Sequence, residues 1–180
     1  MNEIREIRYE IPMSDVDFGK KTVFLAGPTV RGNQTHLKSW RIEAISLFKL
    51  YFDDFFKYSS YDKCLNLIIP EFSDITVSDK YRYDLPPWEF EGLRKCNVIM
   101  FWIPRTKELI GLTTNYELGY WTAKNRNKVV YGRPDNAYRI NYTDIMWNED
   151  GKEYCESQNF PIQNTLEKTV LETIKKLKEI

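Results

Sequence analysis

The feature that most constrains the fold is the apolar run Val98-Ile99-Met100-Phe101-Trp102-Ile103, bounded by Asn97 and Pro104. A run this short and this uniformly apolar reads as a strand covered on both faces, as in a parallel sheet flanked by helices. Similar runs occur before and after it. Lys21-Thr22-Val23-Phe24-Leu25-Ala26 stops at Gly27-Pro28 and predicts a buried strand ending in a tight turn, while Cys64-Leu65-Asn66-Leu67-Ile68-Ile69-Pro70 and Lys128-Val129-Val130-Tyr131 predict two further strands.

Helical patterns fill the intervals. Trp40, Ala44, Leu47 and Phe48 recur at helical spacing and continue toward Phe52 and Phe56; Trp88 to Lys95 predicts a second helix; Leu118, Trp121 and Thr122 give a third its inward stripe. Leu166, Val170, Ile174 and Leu177 predict a closing amphipathic helix from Leu166 to Ile180. Strand and helix alternate repeatedly, the pattern of an α/β fold with a parallel sheet and helices on both faces. Ile4 to Ile11, before Pro12, predict an extra N-terminal edge strand, and Glu71 to Pro87 predict a long functional loop.

With 180 residues, one domain spanning 1–180 is expected, residues 1–20 forming an extension. Lysine plus arginine and aspartate plus glutamate both number 26, so net charge attracts neither nucleic acid nor an anionic membrane. No apolar stretch approaches the roughly 20 residues of a membrane helix, and the start, MNEIREIRYEIPMSD, is not a secretory signal. Cys64, Cys96 and Cys155 are odd in number and far from the single His36, which fits neither a disulfide framework nor a zinc site. Reduced thiols in a cytoplasmic protein are expected, with no metal and no cofactor. Aromatic residues make up 15% of the chain, enough for core, subunit interface and a base-stacking pocket alike.

In a parallel sheet the ligand crevice lies beyond the carboxyl ends of the strands. That singles out Gly27-Pro28-Thr29, Pro70-Glu71, the loop from Pro104 to Thr114, and Gly132-Arg133. Within Gly111-Leu112-Thr113-Thr114-Asn115-Tyr116-Glu117-Leu118-Gly119, a carboxylate stands in the first turn of a predicted helix, where amides and the helix dipole would hold it ionised as a nucleophile requires. The same Thr114-x-x-Glu117 is also a capping box, in which Glu117 merely bonds back to the helix start. Glu89, with Glu91, opens the preceding helix and supplies a second carboxylate; two carboxylates suit glycosidic bond cleavage.

These pieces, taken in order, resemble the nucleoside 2-deoxyribosyltransferase family, particularly a branch of short flavodoxin-like members. The matching segments are Val23 to Thr29, Ser39-Trp40-Arg41-x-Glu43-Ala44, Ile69-Pro70-Glu71, Trp88-Glu89-x-x-x-Leu93, Val98 to Arg105, Thr113-Thr114-Asn115-x-Glu117-Leu118-Gly119 and Lys128-Val129-Val130. The resemblance implies a flavodoxin-like sheet of about five strands, an extra N-terminal edge strand apart, and a covalent deoxyribosyl intermediate on Glu117. It places Glu89 where better-known members carry an aspartate that manages the proton of the base.

It also puts Phe24 where many members have a tyrosine, and Gly111 where some have a further base-contacting aspartate. Asn141 resembles an asparagine that members lend across a subunit interface to a neighbouring site; a surface asparagine in a turn is the alternative. Gly27, Pro28, Thr29, Trp88 and Asn115 complete the expected substrate contacts. Arg31 is a candidate for a 5'-phosphate, while Arg41, on a helix, is expected to brace the loop. Trp88, Trp102 and Trp121 flank the expected site, as core packing or as a stacking surface, and His36 is expected at the surface. The implied ligands are a nucleoside or nucleotide and a nucleobase, in a homo-oligomer with shared sites, dimer or higher. Hydrolysis of a nucleoside 5'-monophosphate and non-catalytic nucleotide binding are the alternatives to base exchange.

Overall fold

A computed structural model describes residues 3–9, 15–31, 34, 36–56, 64–74, 83–154 and 160–180, with the side chains of 53–56 and 150–154 outside the description. Five strands form one all-parallel sheet in the order β1-β3-β2-β4-β5, where β1 is Glu3–Tyr9, β2 Lys21–Ala26, β3 Cys64–Phe72, β4 Val98–Trp102 and β5 Val129–Gly132. The helices are α1 (Trp40–Phe56), α2 (Leu85–Lys95), α3 (Leu112–Asn125), α4 (Asn141–Tyr154) and α5 (Leu166–Glu179). The expected α/β flavodoxin-like architecture is therefore present, and the N-terminal strand is one of the five, at the edge beside β3.

Because strand side chains alternate, each apolar run feeds two cores. Val23 and Leu25, Val98, Met100 and Trp102, and Val130 pack on one face with Trp40, Phe48, Val170 and Ile174 of α1 and α5. Phe24 and Ala26, Ile99 and Phe101, and Val129 and Tyr131 pack on the other with Trp88, Leu118, Trp121 and Trp147 of α2, α3 and α4. Burial on both faces is why these strands read as unbroken apolar runs rather than as alternating ones. Helix α5 shows its stripe plainly, with Leu166, Val170, Ile174 and Leu177 buried and Thr165 Oγ1 accepting from Lys168 N at 3.1 Å as its N-cap.

The structure corrects the reading of residues 71–87 and adds a helix that was not expected. Pro86 and Pro87 do not end a loop; they stand in the first turn of α2, where a fixed φ suits the helix and a missing N–H costs nothing. Of the loop expected from Glu71 to Pro87, residues 75–82 lie outside the described ones, while Glu71 and Phe72 belong to β3. Pro70 is tolerated inside that strand because the ladder to β1 skips it: Arg8 pairs with Ile69, and the next residue, Tyr9, pairs with Phe72. Helix α4 had no sequence signal, since Trp147 alone is fully buried among positions 141–149 and Tyr142, Ile145 and Met146 are exposed. Tertiary contacts hold it instead: Asp144 accepts from Tyr131 Oη at 2.7 Å and from Arg133 Nη2 at 2.8 Å.

The chain leaves β2 toward the α1 face and leaves β4 toward the α3 face. The loops after these neighbouring strands diverge, which opens a crevice at their carboxyl ends.

Candidate active site

The crevice is built on the turn after β2. Gly27 has φ 150°, and a Cβ there would lie 2.2 Å from the carbonyl oxygen of Trp102, so only glycine lets β2 and β4 end this close together. Beneath the turn lies Arg41, 1% exposed. Its guanidinium donates to Leu25 O (2.9 Å), Gly27 O (2.9 Å), Pro28 O (3.3 Å) and Glu71 Oε1 (2.6 Å). Ser39 Oγ donates to the Glu71 carboxylate, at 2.7 Å from Oε2, and accepts from Arg41 N at 3.2 Å at the start of α1. Trp40 Nε1 adds a bond to Pro28 O at 3.0 Å. Arg41 is thus a brace, as its helical position suggested. Its buried charge is satisfied by Glu71, a partner that sequence spacing did not reveal.

Pro28 carries this order to the next loop. Gly111, at φ 63°, precedes α3, and a Cβ on it would lie 2.6 Å from Pro28 Cγ. The left-handed turn starts the helix at Leu112 with Gly111 as N-cap, so Thr114 is an interior residue, 1% exposed. The capping-box reading is therefore overturned, and Glu117 occupies the second helical turn rather than the first. The expectation that helix amides hold Glu117 ionised fails with it: burial pushes its carboxyl up to about 7, against the opposing pull of the Arg41 charge.

Glu89 stands in the second turn of α2, half-buried like Glu117. Its carboxyl is pushed up to about 8 by burial and by the negative charge of Glu117, with Arg41 and Arg31 opposing. Two like carboxylates that each raise the other's cost of ionisation lose their protons in sequence, as a pair. Arg41 favours ionisation of Glu117, while Glu89 faces the charge thus created. Both carboxyls are therefore raised, Glu89 by burial and by the charge of Glu117, and the two share a proton as a pair. Two carboxyls that share a proton could between them attack a carbon and protonate a departing group.

The other expected contacts divide. Gly27 and Thr29 are half-buried at the crevice, Pro28 is buried against Gly111, and Arg31 is exposed on the same loop. The Arg31 guanidinium makes no hydrogen bond or ion pair with a described residue, yet it lies near enough to weigh on Glu89. Phe24 is 1% exposed and lies under α2, where a Cβ on Gly92 would touch its ring at 3.0 Å. Trp88 is 8% exposed and packs edge-on against Tyr9, while Trp102 and Trp121 are also core residues. His36 is at the surface, 3.1 Å from Glu108.

Asn115 and Glu117 are two residues apart and so point to opposite flanks of α3. Asn115 accepts a hydrogen bond from Arg105, whose guanidinium also donates to Arg139 O at 3.3 Å. Arg105, 5% exposed, thereby ties α3 to the segment leading into α4, where Asn141 is the exposed first residue. Its role had no sequence signal beyond its place after β4. Within this one chain, then, Glu89 lies near enough to Glu117, Arg41 and Arg31 to feel their charges, whereas Asn115 turns to Arg105 and Asn141 is exposed at the start of α4.

Among the described residues no group of three or more His, Cys, Asp or Glu side chains comes together as a metal site, and no helix is long and apolar enough to cross a membrane. A family model described as nucleoside 2-deoxyribosyltransferase like matches residues 20–136, a segment that holds both carboxylates and excludes β1 and Asn141. No curated protein matches the chain.

Proposed function

Since the chain belongs to the nucleoside 2-deoxyribosyltransferase-like family, we propose that it transfers 2-deoxyribose between nucleobases through a covalent intermediate on Glu117. The observation that carries this reading is the coupled pair of half-buried carboxylates, Glu117 and Glu89, with unequal proton affinity in one crevice.

A Glu117 carboxylate oxygen attacks C1' of the sugar. The C1'–N bond breaks, its electron pair goes to the departing base, and that base takes the Glu89 proton. The incoming base then attacks C1' from the vacated side, gives its N–H proton to the Glu89 carboxylate and expels Glu117. Configuration at C1' is retained through two inversions. A side chain at position 111 would collide with Pro28, so this chain offers the base no aspartate there and its base recognition differs from that of members that have one. The exposed start of α4, with Asn141 beside Tyr142, Ile145 and Met146, supports a homo-oligomer in which Asn141 serves a neighbouring site.

A second reading, hydrolysis of a nucleoside 5'-monophosphate, is favoured by Arg31: an exposed cation near Glu89 suits a phosphate. Incubation of 2'-deoxynucleosides and their 5'-monophosphates with and without a second base, followed by chromatography, separates the readings. Exchange products appear only with the acceptor under the first reading; free sugar or sugar phosphate accumulates under the second. Glu117→Gln abolishes both, and undiminished exchange in that variant would remove Glu117 from the mechanism. Arg31→Ala raises KM for monophosphates about tenfold and leaves nucleosides unchanged if the phosphate contact exists.

A further inference from the structure

Strand β1 lies outside the family-matched segment, yet its last residue reaches the candidate site. Tyr9, 2% exposed, packs edge-on against Phe72 of β3 (centroids 4.4 Å apart, planes at 89°) and against Trp88 of α2 (5.7 Å, 71°). Trp88 is the residue before Glu89. The same ring sits where the β1–β3 ladder jumps from Ile69 to Phe72, leaving Pro70 and Glu71 without partners in β1. That irregularity is where Glu71 meets Arg41 and Ser39. The extension touches α2 a second time through Phe18, whose ring lies 5.3 Å from Lys95 Nζ. Phe24 backs the helix at Gly92.

We propose that the N-terminal strand is a working part of the site and that Tyr9 is a positioning residue, setting the second turn of α2 and with it Glu89 through the ring of Trp88. The ring contacts hold the second turn of α2 over the sheet, while Gly92, buried Leu93 and the Lys128 bonds to Leu93 O and Arg94 O anchor only its later turns. A roll that turns Glu89 outward admits water to its carboxyl and separates it from Glu117. Among the described residues, the charged groups that weigh on Glu89 are Glu117 on α3, Arg41 on α1 and Arg31 on the β2–α1 loop. None of these is on β1, so Tyr9 acts on Glu89 by placement and not by charge. This inference rests on the assignment of Glu89 as the proton donor.

The test is a 13C NMR titration of glutamate-labelled protein, with Glu89→Gln identifying the Glu89 carboxyl, in wild type, Tyr9→Phe and Tyr9→Ala. Wild type shows a carboxyl titrating near 8. Tyr9→Ala moves it down by at least about one pH unit, a tenfold change in proton affinity, and Tyr9→Phe, which keeps the ring, leaves it in place. In parallel, base release from deoxyinosine and from thymidine falls about tenfold to a hundredfold in kcat for Tyr9→Ala, with KM within about threefold and the basic limb of the pH profile moved down. A folded Tyr9→Ala protein with an unmoved titration, or a wild type with no glutamate titrating in this range, overturns the proposal. Tyr9→Leu carries the test if Tyr9→Ala does not fold. The titration needs no substrate, so failure of the reaction assignment, seen as full activity in Glu117→Gln, stays distinct from failure of the role given to Tyr9.

Discussion

Two charged clusters flank the turn after β2, and they are built on opposite principles. Under the turn, Arg41 and Glu71 are almost fully buried, opposite in charge and saturated with hydrogen bonds to three carbonyls and Ser39. Above it, Glu89 and Glu117 are half-buried and alike in charge, and each raises the question of where a proton goes. A buried pair whose guanidinium spends four of its five N–H groups on three carbonyls and its carboxylate partner holds the backbone. Two carboxylates that cannot comfortably ionise together store a proton and a negative charge side by side, which is chemistry in waiting. The contrast separates scaffold from the proposed reactive pair more sharply than burial alone, since charged residues populate both clusters.

Breaking the lower cluster gives the largest effect. Arg41→Met leaves the Glu71 carboxylate buried without its cation and costs about 3–5 kcal/mol of stability, read from the urea midpoint. Adding Glu71→Leu to that variant recovers most of the loss, and a double variant no more stable than Arg41→Met would show that the brace is more than a charge pair. Breaking the upper cluster acts on rate. Glu89→Gln lowers base release about 10²–10⁴-fold and deletes the basic limb of the pH profile. In wild type that profile is a narrow bell, rising as Glu117 ionises near 7 and falling as Glu89 loses its proton near 8. Profiles with both limbs near the ordinary carboxylate range would contradict the coupling.

The smallest effect sharpens the comparison in stability. Glu89 binds its proton more tightly folded than unfolded, so its contribution is fully present below its unfolded pKa and is lost as pH rises through about 8. Glu89→Gln, neutral throughout, should therefore melt about 2–4 °C above wild type at pH 9 and about level with it at pH 4, a shift equivalent to roughly 1 kcal/mol in a chain of this size. Equal melting temperatures at pH 9 would mean that water reaches the carboxyl freely.

Much of the scaffold was legible because it rests on local and periodic signals. The run from Val98 to Ile103 needs apolar partners on both sides, and the stripe of α5 needs one, whichever way the chain folds. Helix α4 was not legible, because Asp144 is held by Tyr131 and Arg133 from another element and little of the helix is buried. The start of α3 was misplaced for a related reason. Thr114-x-x-Glu117 is a valid cap motif, but Pro28 packed on Gly111 forces the turn three residues earlier.

By itself the sequence determined the order of strands and helices other than α4, the glycine at the end of β2, and which glutamates were available for chemistry. Hydrophobic periodicity and backbone sterics act over a few residues, and that range is written in the chain. Only the tertiary structure decided that Arg41 is spent on Glu71, that Asn115 turns to Arg105 and away from Glu117, and that Glu89 and Glu117 share a crevice in which burial, not the helix dipole, sets their protons. Desolvation and Coulomb interaction depend on what stands nearby in space, and no spacing along the chain records that.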